Sequence, residues 1–127
     1  MKDLDKIKNS NNKVGEVINF EKAGCRSFDA PELIRLLRSS GAIMMSWGAH
    51  NFIVDDIRNT KMFRMLVQGH HHKGYVYIFL NGLDLFDVYL TTTQGTIKAR
   101  TGEMGIYFDQ LVEWIDERVE RIPAYVS

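Results

Sequence analysis

The run Tyr75-Val76-Tyr77-Ile78-Phe79-Leu80-Asn81-Gly82-Leu83-Asp84-Leu85-Phe86-Asp87-Val88-Tyr89-Leu90 decides the fold. Two apolar, β-branched and aromatic stretches flank Asn81-Gly82. That dipeptide is the strongest short hairpin signal, because both central positions of a type I′ turn need positive φ. A two-residue turn there sets Leu80 opposite Leu83, Ile78 opposite Leu85 and Val76 opposite Asp87. Upstream, residues 69–74 connect 61–68 to the first of these strands. With Gln68 facing Tyr75, the side chains of Phe63, Met65 and Val67 join Leu80, Ile78 and Val76 on one apolar face. Downstream, Gln94-Gly95 is a weaker turn signal joining a strand that ends at Thr93 to residues 96–99.

Helical patterns flank this meander. In Phe28-Asp29-Ala30-Pro31-Glu32-Leu33, Asp29 and Glu32 have the spacing of a capping box, Phe28 and Leu33 that of a hydrophobic staple, and Pro31 falls in the first turn. The helix that follows directs Leu33, Ile34, Leu36 and Leu37 inward and Arg35 and Arg38 outward, and stops at Gly41. Residues 42–47 and 49–54 read as a strand pair or one bent strand, with Gly48 at a bulge. A second helix spans residues 107–122, its apolar stripe formed by Phe108, Leu111, Val112, Ile115, Val119 and Ile122, and Pro123 ends it. The expected fold class is α+β: an antiparallel β-meander of about five to six strands packed against an N-terminal and a C-terminal helix.

At 127 residues and 45% apolar content the chain holds one core. Residues 1–13, rich in lysine, aspartate and asparagine, read as a mobile polar tail, and residues 14–127 as a single domain. Sixteen basic and sixteen acidic side chains cancel, so no global field favours nucleic acid or an anionic membrane. Cys25 is the only cysteine, which excludes an intramolecular disulfide. No apolar run approaches the length of a membrane span, and no secretory signal opens the sequence. A cytoplasmic location is the expectation.

Strand periodicity places Leu66, Tyr75, Tyr77, Phe79, Phe86, Val88 and Leu90 on the second face of the sheet. A sheet wet on one face alternates with polar residues, and this face is aromatic and aliphatic instead. Either the N-terminal third of the chain covers it, or it is a contact surface for a second copy, another protein or a ligand. Tyr107 and Trp114, beside Arg118 and Arg121, are a second candidate contact surface, since aromatic residues next to arginine are common in interfaces.

His70-His71-His72, between Gly69 and Gly74, is the one histidine cluster. His70 and His72 share a side in extended chain, with His50 as a candidate third zinc ligand, but no paired Cys/His spacing or H-E-x-x-H accompanies them. The same loop, with Lys73, is a candidate anion or nucleotide contact, although the P-loop spacing is not met. No motif calls for a cofactor, and no nucleophile elbow is present. Asp87 is hard to place: the two-residue turn puts it on the core face, and a bulge near Phe86 is the expected escape.

Ser46-Trp47-Gly48-Ala49-His50-Asn51 and the stretch from Gly74 to Leu90 resemble small uncharacterised proteins of gut bacteria and their mobile elements. That resemblance implies no activity and no site residues. Three functional expectations follow from the residues. The first is a non-enzymatic protein-interaction or accessory domain, acting through the aromatic face as a homo-oligomer or with a protein partner. The second is a small-ligand, nucleotide or anion-binding domain using His50, His70, His72 and Lys73. The third is a metal-dependent hydrolase.

Overall fold

The structure, a computed structural model, describes residues 10–23, 26–39, 47–57 and 59–120. The element order is α1 (Ala30–Ser39), β1 (His50–Val54), β2 (Phe63–Gln68), β3 (Lys73–Leu80), β4 (Phe86–Thr91) and β5 (Ile97–Arg100), then a 3-10 turn (Phe108–Gln110) that runs into α2 (Leu111–Val119). All five strands form one antiparallel meander in chain order. The α+β architecture therefore follows the alternation and the turn residues of the sequence. Residues 42–46, Cys25, Arg121, Ile122 and Pro123 lie outside the described residues, and with them parts of the first strand and of the last helix stripe.

The hairpin at Asn81 is longer than its dipeptide suggests. Leu80 pairs with Phe86, Ile78 with Val88 and Val76 with Leu90, so five residues rather than two make the turn. Asn81 spends its side chain on the loop: its Oδ1 accepts the N–H groups of Leu83 and Leu85 at 2.8 and 3.2 Å. This is an Asx turn, in which the carboxamide substitutes for a backbone turn. The residue with positive φ is Asp84, at +61°. Three extra residues change the parity of the register, so every β4 side chain lies on the face opposite to that expected. Phe86, Val88 and Leu90 belong to the helix-covered core, and Asp87 faces Phe79 on the other side. No bulge near Phe86 is needed to explain Asp87.

The β2–β3 register keeps its expected parity, with Phe63 opposite Ile78 and Met65 opposite Val76. The core layer combines these residues with Val67, Val88 and Leu90, and packs them against Leu33 and Leu37 of α1 and Leu111, Ile115 and Val119 of α2. Trp47 is fully buried, and its indole N–H donates to Asp116 Oδ1 at 2.9 Å, which satisfies its one polar atom. Gly48 has a φ of +61°, but the break in the β1–β2 ladder falls between His50 and Ile53, where Asn51 has a φ of +56°.

Residues 10–23 cover the second face. Ile18 and Ala23 pack on Tyr77, Phe79, Tyr89 and Ile97, and the Phe20 ring lies 5.4 Å from Tyr77. The same segment extends the sheet at β5: Gly15 N–H donates to Ile97 O (2.8 Å), and Ile97 N–H donates to Glu16 O (2.8 Å). Ser10 and Asn12 are buried, so the packed chain starts before residue 14. Asn12 pairs with the Asn19 backbone, donating from Nδ2 to its carbonyl (3.0 Å) and accepting its N–H at Oδ1 (2.6 Å). Within the polar segment read as a tail, this bonding of the Asn12 carboxamide to the Asn19 backbone anchors the described residues 10–13.

Candidate functional site

The histidine loop has a structural task. Gln68 pairs with Lys73, so residues 69–72 form a tight turn that closes on the end of α2. The His71 N–H donates to Val119 O at 2.7 Å, and the His70 N–H donates to Glu120 Oε2 at 2.5 Å. The His71 amide serves a carbonyl of the last turn of α2, where helix carbonyls lack internal donors, and the His70 amide serves the carboxylate of the residue that follows the helix. Gly69 is required by proximity: a Cβ there would lie 2.3 Å from Val119 Cγ1 and 2.4 Å from Val119 O. His72 is half-buried, with Nε2 3.3 Å from Tyr75 O, and burial pushes its imidazole below the usual histidine range. His50 instead holds Nδ1 2.6 Å from the carbonyl of Gly48. Among the described residues no three His, Cys, Asp or Glu side chains converge as a metal site, and His50, His70 and His72 are not brought together as one. Lys73 is exposed beside them.

The proposed contact residues divide. Tyr77 and Phe79 are buried under residues 10–23 of the same chain, and Leu66 and Tyr75 are half-buried at the margin of that cover. Val88 is fully buried on the helix side, and Phe86 is buried there against Phe28 and Phe108. Trp114 is half-buried, with the Arg118 guanidinium 4.0 Å over its ring. Tyr107 stands out at 65% exposure, held by its N–H donation to Gln110 Oε1 at 2.9 Å.

Tyr107 belongs to the end of the sheet where β3 turns into β4. Asn81 organises that end. Its Nδ2 donates to Met104 O (3.0 Å) and lies 3.3 Å from Asp87 Oδ1, which ties the 81–85 turn to the 102–106 loop. Phe86 and Ile106 exchange both backbone bonds, at 2.7 and 2.8 Å. Leu83 and Met104, on the two joined loops, are 62% and 67% exposed. Asp87 lies beneath them at 8% exposure. Burial pushes its carboxyl above the usual range, against the pull of the Asn81 bond and the Arg100 charge.

Beside these loops a pocket of about 290 Å³ opens between the start of α1 and the β3–β4 end. Phe28, Leu80, Phe86 and Phe108 form its apolar walls, and Asp29, Glu32 and Asp84 are its carboxylates. The chain holds Phe28 in place by exchanging backbone bonds with Thr60 (2.8 and 3.1 Å), and Arg26 by donating its N–H to Leu80 O (3.1 Å). Asp84 is paired with Arg26 at 2.5 Å, and both side chains are exposed. Asp29 Oδ1 is buried with no hydrogen-bond partner, so it does not supply the cap expected of it. A second cavity, of about 250 Å³, lies between Phe20, Ala23, Met62 and Phe79, with Asp55 and Lys61 also lining it. Asp55 is already occupied there, accepting the Lys61 N–H (2.9 Å) and the Thr60 hydroxyl.

Sequence reasoning missed the pocket. Asp29 and Glu32 read as a cap pair, and nothing local connects them with Asp84 or Phe108, which join them only through the tertiary fold. No helix among the described residues is long and apolar enough to cross a membrane. Comparison with protein-family models, with curated proteins and with solved structures finds no match for the chain.

Proposed function

We propose that this protein is a non-enzymatic binding domain that engages a protein partner through the β3–β4 end of its sheet. The observation that carries this reading is the grouping there of exposed Leu83, Met104 and Tyr107 on hydrogen-bonded loops, next to an aromatic pocket. Apolar side chains that remain exposed around a concavity are the usual anatomy of a contact site. The two sheet faces favour this end by default: helices fill one, and residues 10–23 fill most of the other. Tyr77 and Phe79 are buried beneath Ile18, Phe20 and Ala23 of the same chain, so this reading places contact at the sheet end instead. In the histidine loop, by contrast, the His71 amide and Gly69 are committed to the end of α2.

A photo-crosslinking residue placed at Tyr107 or Leu83 tests the reading in cells. A discrete protein adduct is expected from both positions and not from exposed Val14, which lies in the 10–23 segment away from this end. Sedimentation of the purified chain then identifies the partner as a second copy if the mass exceeds 14.7 kDa and falls to that value in Tyr107→Glu. No adduct at either position, with a monomer in solution, refutes the proposal.

A further inference from the structure

Resting on that reading, we propose that the pocket between α1 and the β3–β4 end receives a lysine or arginine side chain of the partner protein. Asp29 Oδ1 is the first reason. It is removed from water without a donor, which leaves the Asp29 carboxylate poorly solvated, and a cation held against the wall that Asp29 and Glu32 line offsets that cost through its charge. The second reason concerns charge already spent. Arg26 occupies Asp84, whereas among the described residues neither Asp29 nor Glu32 is in an ion pair. An anion is the wrong occupant even though a helix begins here. The Ala30 N–H is donated to Ile57 O (3.2 Å), Pro31 has none, and the Leu33 N–H is donated to Asp29 O (3.3 Å). The first turn thus has few amides left with which to outweigh two carboxylates.

The walls fit the rest of such a side chain. Phe28, Phe86 and Phe108 present apolar and π surface to an alkyl stem and a cationic head. About 290 Å³ is at the small end of ligand pockets, ample for one side chain and cramped for a larger cofactor. The carboxylates do not converge on a point as cation ligands would. Exposed Leu83, Met104 and Tyr107 then offer contact to the peptide that carries the side chain, which distinguishes a protein partner from a free amine.

Titration of the isotopically labelled full chain, followed by backbone amide shifts, tests this directly. The probes are short peptides with a central arginine, lysine or norleucine, together with n-butylguanidinium, n-butylammonium and butyrate. Saturable shifts at Glu32, Phe86 and Phe108 are expected with the basic peptides, weaker shifts with the free cations, and none with norleucine or butyrate. Asp29→Asn and Glu32→Gln should each weaken the basic peptides by about tenfold, the effect of losing one charge-assisted bond. If Asp29→Asn fails to fold, the exposed Glu32→Gln decides. Equal binding of norleucine or butyrate, unchanged affinity in a folded carboxylate variant, or no shifts at all overturns the inference. Free cations binding as tightly as peptides overturns the protein-borne source. Adducts at Tyr107 without any cation preference would leave the binding reading standing while this inference falls.

Discussion

Gly105 and Gly102 lie three residues apart in the loop beside the pocket, and alanine should have opposite consequences at the two. At Gly105, φ is +89°, and a Cβ would sit 2.7 Å from Phe86 O, 2.8 Å from Asn81 Nδ2 and 3.0 Å from Asp87 Oδ1. The first of these is backbone in the Phe86–Ile106 bridge and cannot swing aside. Left-handed strain costs about 1–2 kcal/mol, and overpacking with displaced hydrogen bonds about 1–3 kcal/mol more. A loss of about 2–5 kcal/mol is therefore expected for Gly105→Ala. For 127 residues the unfolding entropy scales to about 270 cal/mol/K, so each kcal/mol lowers Tm by about 4 °C and the drop should be about 8–20 °C. A Cβ at Gly102 would meet nothing within 4 Å and needs no special φ. Gly102→Ala should therefore be neutral or stabilising by up to about 1 kcal/mol. Calorimetry of the two variants, with amide exchange at Ile106, measures the contrast. Equal Tm values, or Ile106 protection unchanged in Gly105→Ala, would refute the close packing of Asn81, Phe86 and Gly105 on which the site depends.

At the opposite end, Gly69→Ala should cost about 2–4 kcal/mol, because the new Cβ meets Val119 backbone and must break the His71–Val119 bond; urea unfolding and loss of His71 amide protection check it. The half-buried His72 ring has a folded-state pKa below its unfolded 6.5, so the stability it contributes is present above that value and is lost as pH falls through it towards the folded pKa. His72→Asn should flatten this acid slope in urea midpoints measured from about pH 7.5 to 5, and an unchanged slope would count against the burial. Asp87 runs the other way: its raised pKa gives stability that is present below the unfolded 3.8 and lost as pH rises through the folded value. Relative to the parent, Asp87→Asn should therefore be more favourable at neutral pH than near pH 3.5, and the reverse order would contradict it.

Much of the fold was legible because its signals are local. Runs of β-branched and aromatic residues mark β2, β3 and β4, the stripe of Leu111, Ile115 and Val119 marks α2, and Gly95, at a φ of +92°, lies in the β4–β5 turn, although β4 ends at Thr91 rather than at Thr93. The parity of β4 was not legible, since Asn81-Gly82 satisfies a two-residue turn equally well. What selects the longer loop is the Asn81 carboxamide, which finds Met104 and Asp87 as well as the Leu83 and Leu85 amides. Met104 is 23 residues away, so no window around the turn contains the decision. The cover of the second face was hidden likewise. Asn12 and Asn19 look like solvated residues until their side-chain and backbone groups meet, and only then does a polar segment carry Ile18 and Ala23 onto the sheet.

The two ends of β3 differ in what they expose. At the 69–72 end, the His71 amide is donated to Val119 of α2 and the His70 amide to the Glu120 carboxylate, and Gly69 and Gly74 are buried where a Cβ would strike Val119 or the Thr91 carbonyl. Backbone committed in this way has little freedom to adapt to a partner. At the 81–85 end the backbone is equally fixed, by Asn81 and Gly105, but the side chains it presents are exposed. Rigid loops displaying uncovered Leu83, Met104 and Tyr107 lose little entropy on binding, the condition under which a small apolar surface is effective. The Arg26–Asp84 pair at the rim is exposed on both sides and worth little to stability. Its place beside Asp29 and Glu32 matters more for charge, because it leaves two carboxylates rather than three to attract a cation. Substitutions at Leu83, Tyr107 or Glu32 should therefore change binding with little change in Tm, whereas those at Asn81, Gly69 or Gly105 change Tm first.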